Sequence, residues 1–170
     1  MQYKTIILDR DGVINEVNKN YIKSVAELNF ISGSIDAINR LLLNNINVVV
    51  ASNQSCVGRG IITQKDLNSI TDYINSKLAK KIDFFYCTHS PKKKCKCRKP
   101  NPGLINQIKL KNIGPYLFVG DNISDFEASQ SACIDFALVR TGYGNEFMDK
   151  LTKKCKIYNN LNDLVQSSKI

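Results

Sequence analysis

Residues 3–15, YKTIILDRDGVIN, set an apolar run directly against two acids two positions apart, Asp9 and Asp11, and close on Gly12. The run reads as a buried strand. Alternation along a strand returns i and i+2 to one face, so the two carboxylates converge on one locus. Neighbouring carboxylates repel, and such a pair persists near neutral pH by sharing a proton, binding a cation, or dividing roles so that one stays neutral. Gly12 allows a sharp turn and a close ligand approach. The rest of the chain reads as parts supplied to that tip.

At 170 residues the chain fits a single domain over 1–170, large enough to bury roughly 68–70% of its unfolded surface with no disulfide staple. It has no apolar run of bilayer length and no basic-then-apolar leader before Tyr3, so a soluble cytoplasmic protein with no membrane partner is expected. The formal net charge of +9 fits nucleic acid, an anionic small molecule, or simply a lysine-rich composition. The charge concentrates at Lys92, Lys93, Lys94, Lys96, Arg98 and Lys99. Six cysteines without an export signal argue for thiols or metal ligands before disulfides.

Strand-like and helix-like patterns alternate after the opening run. Residues 15–32 are polar and irregular, a loop over the strand tip. Ile35, Ile38, Leu41 and Leu42 fall at helical spacing, with Ser32 or Ser34 as N-cap and Asn44-Asn45 as the stop. Residues 46–51, INVVVA, are a β-branched run that suits an internal parallel strand. Leu67, Ile70, Ile74 and Leu78 form the next amphipathic helix, capped by Thr63 with Asp66 in its first turn. A strand follows at 82–86, and a helix begins at Asn101-Pro102 with Pro in the first helical position. Strands at 116–119, 136–139 and 156–158 and short helices at 124–131 and 161–165 complete the pattern.

This alternation implies an α/β parallel sheet with helices on both faces and right-handed crossovers, in which ligands bind beyond the carboxyl ends of the strands. The polar groups just after each apolar run then share one rim: Asp9 and Asp11, Ser52-Asn53-Gln54, Cys87 and His89, and Gly120-Asp121. Asp9 and Asp121, with Asp125 nearby, form an oxygen-rich set suited to Mg²⁺. Ser52 offers a hydroxyl to phosphate oxygens and Lys99 a point charge. Each element alone also fits an ordinary turn or surface lysine. Their order at successive strand ends describes phosphoryl transfer.

A second constellation, Cys87, His89, Cys95 and Cys97, reads C-x-H, five residues, C-x-C, and uses the only histidine of the chain. Three thiolates and one imidazole make a closed tetrahedral structural Zn²⁺ site with no position left for water. Cys56, Cys133 and Cys155 remain as buried or incidental thiols.

The motifs LDRDG, ASNQS, RKPNPG and VGDNISD resemble those of haloacid-dehalogenase-type phosphohydrolases over nearly the whole chain. DRDGVIN, SNQSCVGRG, CKCRKPNPG and LVRTGYG look closest to the heptose bisphosphate and histidinol-phosphate phosphatases of that superfamily. The resemblance implies a three-layer Rossmann-like core with a small zinc loop at 87–97, Mg²⁺, and an aspartyl-phosphate intermediate. Asp9 would then be the nucleophile and a Mg²⁺ ligand, and Asp11 the general acid and base whose backbone carbonyl meets the metal. Ser52 and Lys99 would hold the phosphoryl group, Asp121 would complete the metal site, and Asp125 would orient its loop. Arg10, Asn53, Gln54, Arg59 and Arg98 would contact substrate.

Some positions depart from that pattern. The zinc loop is short, residues 15–21 lack the Asp-His-Gly-Tyr run common in heptose bisphosphate phosphatases, Cys56 and Gly58 replace more usual residues, and Asn122 stands where lysine is frequent. The intervals between motifs leave no room for a large cap domain, so an open site for a small phosphorylated sugar, worked by a monomer without nucleic acid, is expected. Histidinol-phosphate hydrolysis is the alternative within the enzyme class. A non-catalytic, zinc-stabilised nucleic-acid-binding module is the alternative outside it, and it leaves the gathered acids without a purpose.

Overall fold

The computed structural model describes residues 3–151 and 154–167. Six parallel strands form one sheet: β1 (Thr5–Leu8), β2 (Asn47–Asn53), β3 (Asp83–Cys87), β4 (Tyr116–Gly120), β5 (Asp135–Val139) and β6 (Lys156–Tyr158). Their order is β3-β2-β1-β4-β5-β6, so β1 lies at the centre, with Thr5 in register with both Asn47 and Tyr116. The chain winds outward in one direction from β1 to β3 and in the other from β4 to β6. The crevice at the reversal, beyond the ends of β1 and β4, is where such sheets bind ligands.

Among the described residues seven helices accompany the sheet: α1 (Ser34–Leu43), α2 (Ser55–Gly58), α3 (Gln64–Asn75), α4 (Gly103–Lys111), α5 (Ile123–Ser131), α6 (Gly144–Leu151) and α7 (Leu161–Ser167). The strand period of two sorts the core. Ile6, Leu8, Val48 and Val50 point to one face, under Ile38 and Leu41 of α1, Ile70 and Ile74 of α3, and Leu161 and Leu164 of α7. Ile7, Val49, Phe118 and Phe136 point to the other, under Leu104 and Ile108 of α4, Ala128 of α5 and Leu151 of α6. Both faces of the sheet are therefore covered, as a parallel sheet requires.

The expected elements are present, with local differences. Thr63 and Asp66 form a reciprocal capping box at α3, and Asn45 adopts a left-handed φ of 58° just beyond α1. Neither Ser32 nor Ser34 caps α1. Gly33, at φ 76°, occupies the N-cap, and the Ser34 hydroxyl instead donates to the Ile14 carbonyl oxygen at 2.7 Å, tying α1 to the stretch beyond the β1 tip. Pro102 sits at the N-cap of α4, one residue before the first helical position, and Leu78 lies beyond the end of α3.

The 15–32 segment is more ordered than its polarity suggested. Asn15 bridges antiparallel to Phe30, a 3₁₀ turn spans Val25–Glu27, and Ile22 and Leu28 are buried. The short α2 and the glycine-led α6 had no separate sequence signal, α2 being a single turn and α6 opening with no side-chain cap residue.

Burial separates two leucines two positions apart in α1. Leu41 is fully buried, and Leu43 is 73% exposed. Leu41→Ala is expected to cost ~2–5 kcal/mol and Leu43→Ala about 0.5 kcal/mol or less, read from denaturant midpoints.

Candidate active site

At the reversal point the chain leaves β1 and turns through Asp9, Arg10, Asp11 and Gly12. The Asp9 amide still donates to the Val119 carbonyl oxygen at 3.0 Å, which fixes its side chain beside the end of β4. Two glycines shape the other wall. Gly12 (φ 86°) and Gly142 (φ 59°) both lie where an added Cβ would overlap Asp121 Oδ2, so the chain needs glycine there for space and for backbone conformation. The Thr141 hydroxyl donates to the Gly12 carbonyl oxygen at 2.6 Å, and the Tyr143 amide donates to Asp121 Oδ2 at 2.8 Å. Asp121 is thereby held from two segments far apart in sequence.

Carboxylate oxygens of Asp9, Asp121 and Asp125 all lie within 4.8 Å of one another. Lys99, buried among them, stands 2.9 Å from Asp9 Oδ2 and 2.6 Å from Asp125 Oδ1. Burial, with Asp125 and Asp9 as like charges nearby, pushes the Asp121 carboxyl well above its usual range. Burial likewise lifts Asp125 to about 6, although Lys99 opposes it. Burial alone would depress Lys99, but Asp125 and then Asp9 raise it above the usual lysine value. One ammonium cannot neutralise this carboxylate group. Converging hard oxygens with unbalanced negative charge fit a small divalent cation such as Mg²⁺.

Asp125 also closes a capping box with Asn122 at the start of α5, accepting the Asn122 amide at 3.1 Å. It thus orients the Asp121 loop, the role the resemblance implied, and in addition pairs with Lys99. Lys99 itself is aimed by Asn53 at the end of β2. The Asn53 side chain accepts the Lys99 amide and donates to the Lys99 carbonyl oxygen, each at 3.1 Å. Asn53 was expected on the substrate. It lines the cleft, and its side chain is committed to holding the lysine backbone.

Asp11 and its neighbours differ most from expectation. Arg10 and Gln54, expected on the substrate, are 1% and 3% exposed and do not line the cleft. Arg10 turns inward to Asp11, with Nη2 2.9 Å from Oδ1 and 3.0 Å from Oδ2. Asn15 Nδ2 donates to Asp11 Oδ1 at 2.9 Å, and Gln54 Nε2 donates to Asp11 Oδ2 at 2.7 Å and to Ser52 Oγ at 3.1 Å. Burial would raise the Asp11 pKa, but the Arg10 charge and these hydrogen bonds bring it below the usual carboxylate value.

A cleft of about 440 Å³ opens over this floor, with Asp9, Asp11, Ser52, Lys99 and Asp121 at its base. Arg59, at the end of α2, and Arg98 stand on its walls, and a buried Arg98 Nη1 has no hydrogen-bond partner among the described residues. Tyr21 and Tyr143 also line it. Sequence reading passed over both. Tyr143 follows β5 within the LVRTGYG stretch, where the strand-end rule pointed, whereas Tyr21 reaches the cleft only through the folding of the 15–32 loop.

Cys87, His89, Cys95 and Cys97 come together beside the cleft. Cys87 Sγ lies 3.7 Å from His89 Nδ1, 3.7 Å from Cys95 Sγ and 3.3 Å from Cys97 Sγ, and His89 Nδ1 lies 3.2 Å from Cys97 Sγ. A tetrahedron of ~2.3 Å metal–sulfur bonds sets its sulfurs ~3.8 Å apart, so the four donors fit one zinc-sized ion. Burial pushes the Cys87 thiol up to about 12, and a bound cation would favour the thiolate there. The loop is pinned on both sides. Gly58 of α2 packs against the Thr88–Ser90 backbone, and the Gly103 amide donates to the Lys96 carbonyl oxygen at 3.1 Å. Of the remaining thiols, Cys56 is buried, Cys155 is partly buried and Cys133 is exposed.

Comparison with known proteins agrees with this geometry. A family model described as polynucleotide kinase 3 phosphatase matches residues 4–143. The D-glycero-beta-D-manno-heptose-1,7-bisphosphate 7-phosphatase of Bordetella bronchiseptica is 38% identical over 151 residues, covering 84% of each chain. The D-glycero-alpha-D-manno-heptose-1,7-bisphosphate 7-phosphatase of Campylobacter jejuni is 35% identical over 144 residues, covering 79% of this chain and 80% of that one. The crystal structure of D,D-heptose 1,7-bisphosphate phosphatase from B. bronchiseptica, complexed with magnesium and phosphate, superposes with a TM-score of 0.91 at 32% identity over 97% of both chains. With its carboxylates, lysine and strand-end serine gathered at one reversal point, the chain belongs to the haloacid-dehalogenase-type phosphatases, among the heptose bisphosphate phosphatases.

Proposed function

We propose that the chain hydrolyses a D-glycero-D-manno-heptose 1,7-bisphosphate, releasing the phosphate at C7, in the synthesis of nucleotide-activated heptose for surface polysaccharide. The observation that carries the reading is the group at the base of the cleft. A strand-end carboxylate, Asp9, faces open space with Lys99 and Ser52 beside it and a second carboxylate, Asp11, two residues on. The relatives named for this reaction supply the substrate class.

In this reading Asp9 attacks phosphorus, and the bond from phosphorus to the sugar oxygen breaks as the aspartyl phosphate forms. Asp11 gives its proton to the departing alkoxide. It then takes a proton from the water that attacks the aspartyl phosphate, which restores Asp9 and frees inorganic phosphate. The Ser52 hydroxyl donates to a phosphoryl oxygen, and Lys99 balances its charge. Asp9 and Asp121, with the Asp11 backbone carbonyl, would hold Mg²⁺, which would supply the positive charge that the carboxylate group lacks. Arg59 and Arg98 on the walls meet the anionic far end of the substrate.

Zn²⁺ at Cys87, His89, Cys95 and Cys97 would be structural, because these four donors would leave no position of a tetrahedral ion open to water. Its role is to fix the loop that runs from Cys97 directly into Arg98 and Lys99. Every group named comes from one chain, so the reading needs no second subunit, nucleic acid or membrane, and it suits a cytoplasmic enzyme.

Asp9→Asn is expected to abolish phosphate release, and Asp11→Asn to lose ~10²–10⁴-fold in kcat. Both anomers of heptose bisphosphate and histidinol phosphate, compared by kcat/KM, test the substrate. A heptose bisphosphate anomer should lead, and preference for histidinol phosphate would replace this assignment. Elemental analysis should find one zinc per chain. Stripping it should lower both the melting temperature and turnover, and a zinc-free protein with unchanged melting and kinetics would remove the structural role.

A further inference from the structure

Residues 141–144, TGYG, turn out of β5 and pass along the wall of the cleft that carries Asp121. Both ends of this turn are tied down. The Arg140 amide donates to the Tyr158 carbonyl oxygen at 2.9 Å, and the Gly144 amide donates back to the Thr141 carbonyl oxygen at 3.0 Å. Gly144 is buried, and a Cβ there would overlap the Val139 carbonyl oxygen. The turn is a fixed strap rather than a free loop.

The strap meets both sides of the cation site. The Thr141 hydroxyl donates to the Gly12 carbonyl oxygen, 129 positions earlier, at 2.6 Å, and the Tyr143 amide donates to Asp121 Oδ2 at 2.8 Å. Gly142, between them, packs on Gly12: an added Cβ would stand 2.7 Å from Gly12 Cα and overlap Asp121. At the β1 tip the Asp11 carbonyl, read above as a Mg²⁺ donor, shares a rigid peptide plane with the Gly12 amide, which donates to the Asn15 carbonyl oxygen at 2.7 Å. The next plane carries the Gly12 carbonyl that Thr141 holds. Gly12, at φ 86°, is a residue whose backbone swings easily, so these two bonds fix how the Asp11 carbonyl is aimed.

We propose that Thr141 is a positioning residue for the cation site. Its hydroxyl locks the strap to the β1 turn, so that the Asp11 carbonyl from the β1 tip and Asp121 from the end of β4 keep the separation that one Mg²⁺ needs. The inference rests on the phosphatase reading and adds to it a side chain that touches neither the metal nor the reacting atoms. The contact is specific to a hydroxyl. A methyl carbon needs about 3.3 Å from a carbonyl oxygen, so valine would push the strap roughly 0.7 Å off Gly12 and loosen the Tyr143 amide from Asp121. Groups that orient metal ligands in this way typically carry ~10–100-fold in metal affinity.

The test is Mg²⁺ binding to the zinc-loaded protein, dialysed free of Mg²⁺ and titrated by calorimetry, which reads the site without turnover. Thr141→Val should weaken Mg²⁺ binding ~10-fold or more and raise the Mg²⁺ concentration for half-maximal hydrolysis of p-nitrophenyl phosphate in parallel. Thr141→Ser, which keeps the hydroxyl, should bind Mg²⁺ within about 3-fold of the parent, against the ~10-fold loss in Thr141→Val. Thr141→Ala serves if Thr141→Val fails to fold. A folded Thr141→Val or Thr141→Ala protein that binds Mg²⁺ as tightly as the parent overturns the inference and leaves the hydroxyl a loop contact alone. A Thr141→Ser protein as weak as Thr141→Val overturns it as well. A parent protein that binds no Mg²⁺, or that hydrolyses neither p-nitrophenyl phosphate nor heptose bisphosphate, overturns the phosphatase reading itself and the inference with it.

Discussion

The buried Lys99 ammonium, shared between Asp9 and Asp125, is the interaction on which the site's geometry depends. Taking a charge out of water costs several kcal/mol unless paired charges compensate, and here both partners are within 2.9 Å. The pairing joins three parts of the fold: the tip of β1, the start of α5 and the segment between the cysteine–histidine loop and α4. Asn53 supports it from a fourth, the end of β2. Were Lys99 displaced, Asp9, Asp121 and Asp125 would repel one another in a poorly solvated space. The arrangement is therefore held together by the same charges that make it reactive.

The fold was legible because its signals are periodic. β-branched runs, amphipathic helices and a polar group after each run locate the sheet, its faces and its active edge without knowledge of any contact. That rule singled out Asp9, Ser52 and Asp121, the RKPNPG stretch singled out Lys99, and crowding of otherwise rare residue types singled out Cys87, His89, Cys95 and Cys97. The direction a side chain takes was not legible. Arg10 and Gln54 stand next to residues that do face the cleft, and only three-dimensional packing turns them under Asp11 instead. Gly33 replaces the expected serine cap because Ser34 finds a buried carbonyl twenty positions back at Ile14, a tertiary preference that local capping statistics do not contain. Tyr21 reaches the cleft because buried Ile22 and Leu28 order a loop whose composition reads as polar.

The short cysteine–histidine loop gives the site its character. It rises beside the cleft, packs against α2 on one side and the start of α4 on the other, and continues without interruption into Arg98 and Lys99. A larger cap would enclose a substrate. Here the walls are arginines and tyrosines on short segments, and selectivity falls to charge and reach at the rim.

The central position of β1 also governs when the protein can act. Asp9 lies between strands contributed by residues near 50 and near 119, and its carboxylate is completed by Lys99, Asp121 and the Gly142 turn. No short stretch of the described residues contains the site, whose groups run from Asp9 to Tyr143. During synthesis the amino-terminal half can pair β1 with β2, but the β1 edge that receives β4 stays unpaired until much later in the sequence. Closing contacts across such separations is slow compared with local structure. The reactive centre is thus assembled only once β4 and the Gly142 turn have joined β1, and recovery of turnover after denaturation would report that long-range pairing rather than any local element.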